Sequence, residues 1–291
     1  MSARMLKIAS LACSFNRKEK TSVFLKSLLS QALPDGYTLD IYLLDDNSTD
    51  GTGDYVKEHF PTVTVIEGTG TLYWAGGMRT VWNAALKNGD YDFFLLLNDD
   101  VHLDDHAISN LLAAYKQSEF HQNILLGTVL DDIKKTITYG GHKIKSKITG
   151  YAYTVVPDDK ELVQAHIGNA NIMMVDKGTV DKIGILSEEY IHGLADFDYT
   201  LTAIKNGVKV WVAPGYYGYC INDHGNRWLS GKATLKKRIA YLYSPTGLAY
   251  KEYLHYVWKH FPLMLPTVFT KAWLKTLFPV VYDKFKKSKT L

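Results

Sequence analysis

FFLLLNDDVHLDD, residues 93–105, runs five apolar residues straight into Asn98, Asp99 and Asp100, with Asp104 and Asp105 close behind. An unbroken apolar run of that length suits a strand covered on both faces. Carboxylates crowded where such a strand ends repel one another unless water or a cation neutralises them. The stretch therefore reads as a buried strand delivering acidic side chains to a sheet edge.

Working outward, strand-like and helix-like stretches alternate through the first hundred residues. Residues 8–14, 39–44 and 62–67 read as strands, and 21–31, 54–59 and 77–87 carry apolar residues at helical spacing. This alternation predicts an α/β fold with a Rossmann-like, mostly parallel sheet flanked by helices. In such sheets ligands bind beyond the carboxyl ends of the strands. The polar clusters fall at those ends: Cys13 to Arg17 after the first strand, Asp45 to Gly51 after the second, Trp74 to Arg79 before a helix, and Asn98 to Asp100 after the fourth. Asp and Asn also cap helices and form turns, so DDNSTDGT alone reads equally well as a turn. Four such clusters at one edge read as a site.

After Asp100 the pattern changes. A helix is expected over 107–115, then short antiparallel strands over 123–129 and 136–153, around Gly140 and Gly141, as an insertion beside the sheet, a helix starting near Asp196 to Asp198, and a strand over 208–212. From Lys236 the chain reads as helical, rich in Tyr, Trp and Lys and broken by prolines.

The 291 residues suffice for one large domain with an appendage. A net charge of +3 from 33 basic and 30 acidic residues makes no demand for nucleic acid, and none is expected as a partner. Cys13 and Cys220 lie far apart without metal-ligand spacing and are expected as reduced core thiols. No apolar run of about 18 residues occurs, so no bilayer-spanning helix is expected and a cytoplasmic location follows.

The chemistry centres on two acidic pairs. Asp99 and Asp100 are hard oxygen ligands of the kind that hold Mg²⁺ or Mn²⁺ together with phosphates and water. Asp196 and Asp198 are two residues apart at a helix start, so they project in different directions: one can be a general base, and the other caps or orients. The phosphate loop G-x-x-x-x-G-K-[ST], G-x-S-x-G and H-E-x-x-H are absent, and Gly68-Thr69-Gly70 lacks the third glycine of a dinucleotide fingerprint.

The ordered stretches CSFNRKE, LLDDNSTDGTGDY, WAGGMRTVWNAAL, LLLNDDVHLDD, GNANIMMV and DKIGILSEEYIHGLADFDYTLTAIKNGVKVWVAP resemble family 2 glycosyltransferases of the GT-A fold, most of all the rhamnosyltransferase-like branch of bacterial polysaccharide synthesis. The resemblance covers residues 7–214. It implies a GT-A catalytic domain over 1–225, with a nucleotide-binding half (1–100) and an acceptor half (101–225), followed by a helical extension over 226–291. It implies an inverting, metal-dependent transfer of rhamnose or another hexose from a dTDP- or UDP-sugar to a saccharide or undecaprenyl-linked acceptor, in O-antigen or capsule synthesis.

By the same resemblance, Phe15 and Asp46 hold the base, while Arg17 and Arg79 lie near the diphosphate. Cys13, Asn98 and Asp99 complete the nucleotide site, and Gly77 lets backbone approach the diphosphate. Asn98-Asp99-Asp100 matches the D-x-D motif, which makes Asp100 the metal ligand, with His224 as a second candidate for Mn²⁺ or Mg²⁺. Ala195-Asp196 matches the usual Glu-Asp pair, which makes Asp196 the base and leaves the Glu position occupied by alanine. Two rivals stand beside this reading: a nucleotidyltransferase, and an inactive nucleotide-sugar-binding subunit. The carboxy-terminal helices mix aromatic and apolar residues with lysines, which suits peripheral contact with an anionic membrane; packing on the catalytic domain or a homodimer partner is the alternative.

Overall fold

The computed structural model describes residues 4–118, 122–220 and 233–280. Its first half follows the alternation read from the sequence: β1 (Leu6–Ser14), α1 (Lys18–Leu29), β2 (Tyr37–Asp45), α2 (Thr52–His59), β3 (Val63–Glu67), α3 (Tyr73–Asn88) and β4 (Phe93–Leu97). The second half contains β5 (His102–Leu103), α4 (Ala107–Gln117), β6 (Asn123–Leu130), β7 (Ile137–Tyr139), β8 (Gly141–Ser146), β9 (Tyr151–Thr154), β10 (Val163–Gln164), β11 (Ile167–Gly168), β12 (Ile172–Asp176), α5 (Lys177–Ile183), α6 (Ala195–Lys205) and β13 (Lys209–Tyr219). Helices α7 (Leu235–Tyr243), α8 (Tyr250–His260) and α9 (Leu265–Leu277) follow.

One sheet runs through both halves in the order β10-β13-β6-β12-β4-β1-β2-β3. The pairs β4-β1, β1-β2, β2-β3 and β6-β13 are parallel, whereas β12 is antiparallel to both its neighbours. The apolar run of β4 is explained by its two partners above and below the sheet. Phe93, Leu95 and Leu97 enter the core beneath α1, α2 and α4, while Phe94 and Leu96 enter the core beneath α3 and α6. Successive side chains of a strand face opposite sides, so a strand buried on both must be apolar at every position.

Two expectations are corrected by the topology. Residues 123–130 are no insertion beside the sheet: β6 sits inside it, between β13 and β12, and only β8, β9 and β11 form a separate three-stranded sheet. The helix expected from Gly77 starts four residues earlier, at Tyr73. No capping side chain precedes it locally, because the cap comes from Asp46, whose carboxylate accepts the N–H groups of Gly70 (2.7 Å), Leu72 (2.9 Å) and Tyr73 (3.2 Å). A helix start satisfied from a distant strand leaves no local signature.

The strand order places the site. After β3 the chain crosses back to lay β4 on the other side of β1, so the carboxyl ends of β1 and β4 flank a crevice at the topological switch point. Because β12 runs antiparallel to β4, with Ile172 opposite Leu97, residues 169–171 arrive at that same edge from the other direction.

Candidate active site

A cavity of about 640 Å³ opens at this edge, and Asp100 and Asp196 both line it. Of the residues singled out from sequence, Cys13, Phe15, Arg17, Asp46, Asn98 and Asp99 line it as well. The carboxylate repulsion expected at the end of β4 is relieved by a side chain of this chain: Arg17 reaches Asp99 at 3.1 Å and Asp100 at 2.7 Å. Even so, burial, with Asp100 adding repulsion and Arg17 opposing it, pushes the Asp99 carboxyl up to about 6. Cys220 completes the surroundings by donating its thiol to Asp100 at 3.5 Å.

Asp196, in the first turn of α6, accepts the N–H groups of Ala170 (3.1 Å) and Phe197 (2.9 Å). Burial raises it to about 6 in spite of these bonds, which favour the ionised form. Asp198 goes elsewhere, as the two-residue spacing requires. Its buried carboxylate accepts from Tyr190 (2.9 Å), Lys259 (2.9 Å) and His260 (2.7 Å), which ties α6 to the end of α8. Burial alone would raise this carboxyl, but the bonds from His260 and Lys259 outweigh it and hold it low.

Two nucleotide-site expectations lie outside the cavity lining. Arg79 donates to the carbonyls of Ser187 (2.8 Å) and Tyr190 (2.7 Å), so it anchors the loop that leads to α6. Gly77 is buried in α3 with a Cβ position 3.0 Å from Cys13 Cβ, so its lack of a side chain lets the helix lie close on β1. His224 lies outside the described residues. Cys13 and Cys220 form no disulfide, and burial pushes the Cys13 thiol well above its ordinary range, so it stays protonated.

The turn after β2 divides its labour. Asp45 and Asp50 are turn residues: Asp45 accepts from Ser48, and Asp50 accepts the N–H groups of Thr52 and Lys18. Asn16 then binds Ser48 and Thr49, zipping this turn onto the one after β1. Asp46 alone faces the cavity, and its three backbone partners leave about one of its four lone-pair sites open.

Several cavity residues had no role assigned from the sequence. Tyr73, Asn169, Ala170, Asn171, His192, Gly193 and Thr246 line the space, drawn from four separate segments. Thr246 comes from the carboxy-terminal helical region, which therefore supplies part of the wall. Backbone strain gathers here too. Tyr73 (φ 53°) and Leu194 (φ 69°) adopt left-handed conformations that bulky residues avoid, and they sit at the starts of α3 and α6.

The donor set at the end of β4 fits a divalent cation. Mg²⁺ and Mn²⁺ are commonly held by one or two carboxylates and completed by substrate phosphates and water, which Asp100 and Asp99 can supply. Among the described residues no group of three or more His, Cys, Asp or Glu is arranged to hold an ion unaided.

The family model for glycosyl transferase family 2 matches residues 11–176, more than half of the chain. The chain belongs to glycosyl transferase family 2. No curated protein matches it in sequence. Among solved structures, S. aureus TarS 1–349 in complex with UDP superposes with a TM-score of 0.55 at 17% identity, covering 81% of this chain and 64% of that one. A second crystal structure of S. aureus TarS 1–349 gives 0.53 at 18% identity, covering 74% and 60%. The mannosyltransferase PcManGT from Pyrobaculum calidifontis, in complex with GDP-Man and Mn²⁺, gives 0.54 at 16% identity, covering 94% and 70%. The chain thus spans less than two thirds of the TarS fragment. At such identities the likeness is one of fold, and that fold is GT-A.

Proposed function

We propose that this family 2 glycosyltransferase moves a hexose, rhamnose being the leading candidate, from a dTDP- or UDP-sugar to a hydroxyl of a saccharide acceptor, with inversion at the anomeric carbon. The observation that carries this reading is the single cavity shared by Arg17, Asp100 and Asp196. It puts a cationic, carboxylate-rich wall and a separate carboxylate around one space, which is what transfer from a diphosphate leaving group needs.

In this reading Phe15, half exposed at the rim, offers a face for the base, and Asp46 uses its remaining lone pair on a base N–H. Arg17 exchanges its carboxylate partners for the diphosphate, where a guanidinium fork suits phosphate oxygens. Asp100, with Asp99, would hold a Mn²⁺ or Mg²⁺ ion, which when bound would supply Lewis-acid stabilisation of the leaving group. Asp196 takes the proton from the acceptor hydroxyl as that oxygen attacks the anomeric carbon and the carbon–phosphate-oxygen bond breaks. A positioned base contributes about 10²–10⁴-fold. The pull of two backbone N–H groups keeps its carboxylate oriented without the glutamate that alanine replaces at 195.

Residues 1–225 would form the catalytic unit, with the helices after 226 closing one wall through Thr246. An undecaprenyl-linked acceptor in cell-surface polysaccharide synthesis, and enzyme docked at the inner face of the membrane, fit the basic, apolar character of those helices. The test is transfer, or slow donor hydrolysis, from a panel of dTDP-, UDP- and GDP-sugars with Mn²⁺. An active wild type beside an Asp196→Asn variant that folds, binds donor and is silent supports the reading. A wild type inactive on every donor, or a variant of wild-type rate, overturns it.

A further inference from the structure

Asn171 precedes β12 and lines the cavity, yet its side chain is 1% exposed and neither its Oδ1 nor its Nδ2 has a hydrogen-bond partner in the protein. A buried amide without partners is unfavourable, because folding strips it of water and returns nothing. Such a group at the wall of a binding cavity calls for a partner supplied from the cavity.

Its position says which ligand. The Asn171 carbonyl accepts the N–H of Asn98 at 3.2 Å, and the preceding Ala170 N–H donates to Asp196 at 3.1 Å. The amide therefore stands between the D-x-D-like stretch and the candidate base, on a segment bonded to both. Its chemistry narrows the choice further. A phosphate oxygen could pair only the NH₂, and a cation could pair only Oδ1, so each would leave half the amide unmatched. Sugar hydroxyls, each a donor and an acceptor, pair both ends.

We infer that Asn171 is a sugar-binding residue, whose amide hydrogen-bonds ring hydroxyls of the hexose being transferred. The inference rests on the donor reading above and adds a residue that discriminates the sugar from its nucleotide. A site built to bond a hydroxyl leaves its own polar group unpaired when that hydroxyl is missing, so Asn171 also selects among donor sugars.

Asn171→Leu, close in volume, and Asn171→Ala are compared with wild type by thermal shift and transfer rate. The probes are UDP, dTDP and GDP, against UDP-glucose, dTDP-rhamnose and GDP-mannose, each with Mn²⁺. Both variants are expected to fold with unchanged or higher midpoints without ligand, since they remove an unpaired buried amide. They should keep the wild-type response to the nucleoside diphosphate, lose the additional response to the sugar nucleotide, and transfer about 10- to 100-fold more slowly. Variants that respond to the sugar nucleotide and transfer as wild type does overturn the assignment of Asn171 alone. Variants that lose stability without ligand, or lose the nucleoside diphosphate response too, also overturn it, since the amide is then a structural part. A wild type that none of the probes stabilises overturns the donor reading itself, and this inference with it.

Discussion

At the scale of single residues, Asp196 and Arg17 carry the sharpest consequences. Asp196 must be ionised to accept a proton, and burial holds it up to about 6. The ionised fraction, and with it the rate, therefore rises as pH climbs through about 6 and levels off above about 7. A pH series of kcat/KM should show an acid limb near 6, and a rate flat from pH 5 to 8 would exclude Asp196 as the base. Arg17 balances two carboxylates whose side chains are only 7% and 8% exposed. Removing it in Arg17→Ala leaves them facing one another, at a cost of about 1–3 kcal/mol, discounted because Arg17 itself is partly solvated. The raised Asp99 carboxyl sets the sign. The folded state holds protons more tightly than the unfolded chain does between about pH 4 and 6, so the loss should be smaller at pH 5 than at pH 8. Millimolar Mn²⁺ should restore more stability to the variant than it adds to wild type. Urea titrations at both pH values, with and without Mn²⁺, read all three effects.

At the scale of elements, α6 is held from the side opposite the cavity. Asp198 joins it to α8 through Lys259 and His260, and Glu252 of α8 accepts the Ile191 N–H while the Ile191 carbonyl accepts from Ala75 at the start of α3. The loop bearing His192 and Leu194 is thus strapped between two helices before α6 begins. Burial lowers the His260 imidazole, so the neutral ring donates through Nε2. Asp198→Ala would strand the Tyr190 hydroxyl and His260 in the interior and leave Lys259 without its carboxylate. A loss of about 3–5 kcal/mol in urea unfolding is expected, with Asp198→Asn milder. A loss below about 1 kcal/mol for the alanine variant would mean that α6 does not depend on the latch. Elements also show why local sequence misses them. The start of α3 carries no local signature because its cap, Asp46, is far away in sequence. The place of β6 inside the sheet depends on pairing with β12 and β13, far downstream, which its own composition does not record.

At the scale of the whole molecule, charge is segregated. Residues 233–291 contain eleven Lys and Arg against two Asp and Glu, a net +9, while the whole chain carries +3 and the remainder therefore −6. The same region exposes Leu274 and Leu277 on one face of α9, with Leu263 in the turn before it and Phe269 and Phe278 nearby. No described helix is long and apolar enough to cross a membrane. An apolar stripe within a basic region suits lying on an anionic surface instead. The full chain should sediment with phosphatidylglycerol vesicles and less with phosphatidylcholine ones. Combined Leu263→Ser, Leu274→Ser and Leu277→Ser, all at exposed positions that leave the core intact, should weaken that binding at least tenfold. Equal sedimentation of wild type and the triple variant would remove the membrane reading.

What the sequence determined by itself was whatever short-range pattern can encode: the doubly covered strand 93–97, the alternation that places β1 to β4, the acids past β4, and the opposed directions of Asp196 and Asp198. Motif order carried the family. The tertiary structure decided which of these residues meet. Asp46 and Asp45 are adjacent and chemically alike, yet only the first faces the cavity. Arg17 and Arg79 look equivalent on paper, but one neutralises the acids and the other anchors a loop. The Asn171 amide reaches the cavity only because β12 runs antiparallel to β4 and carries it to the edge where β4 gives way to Asn98. Hydrogen-bond satisfaction is a property of neighbours brought from afar, and no local pattern records it.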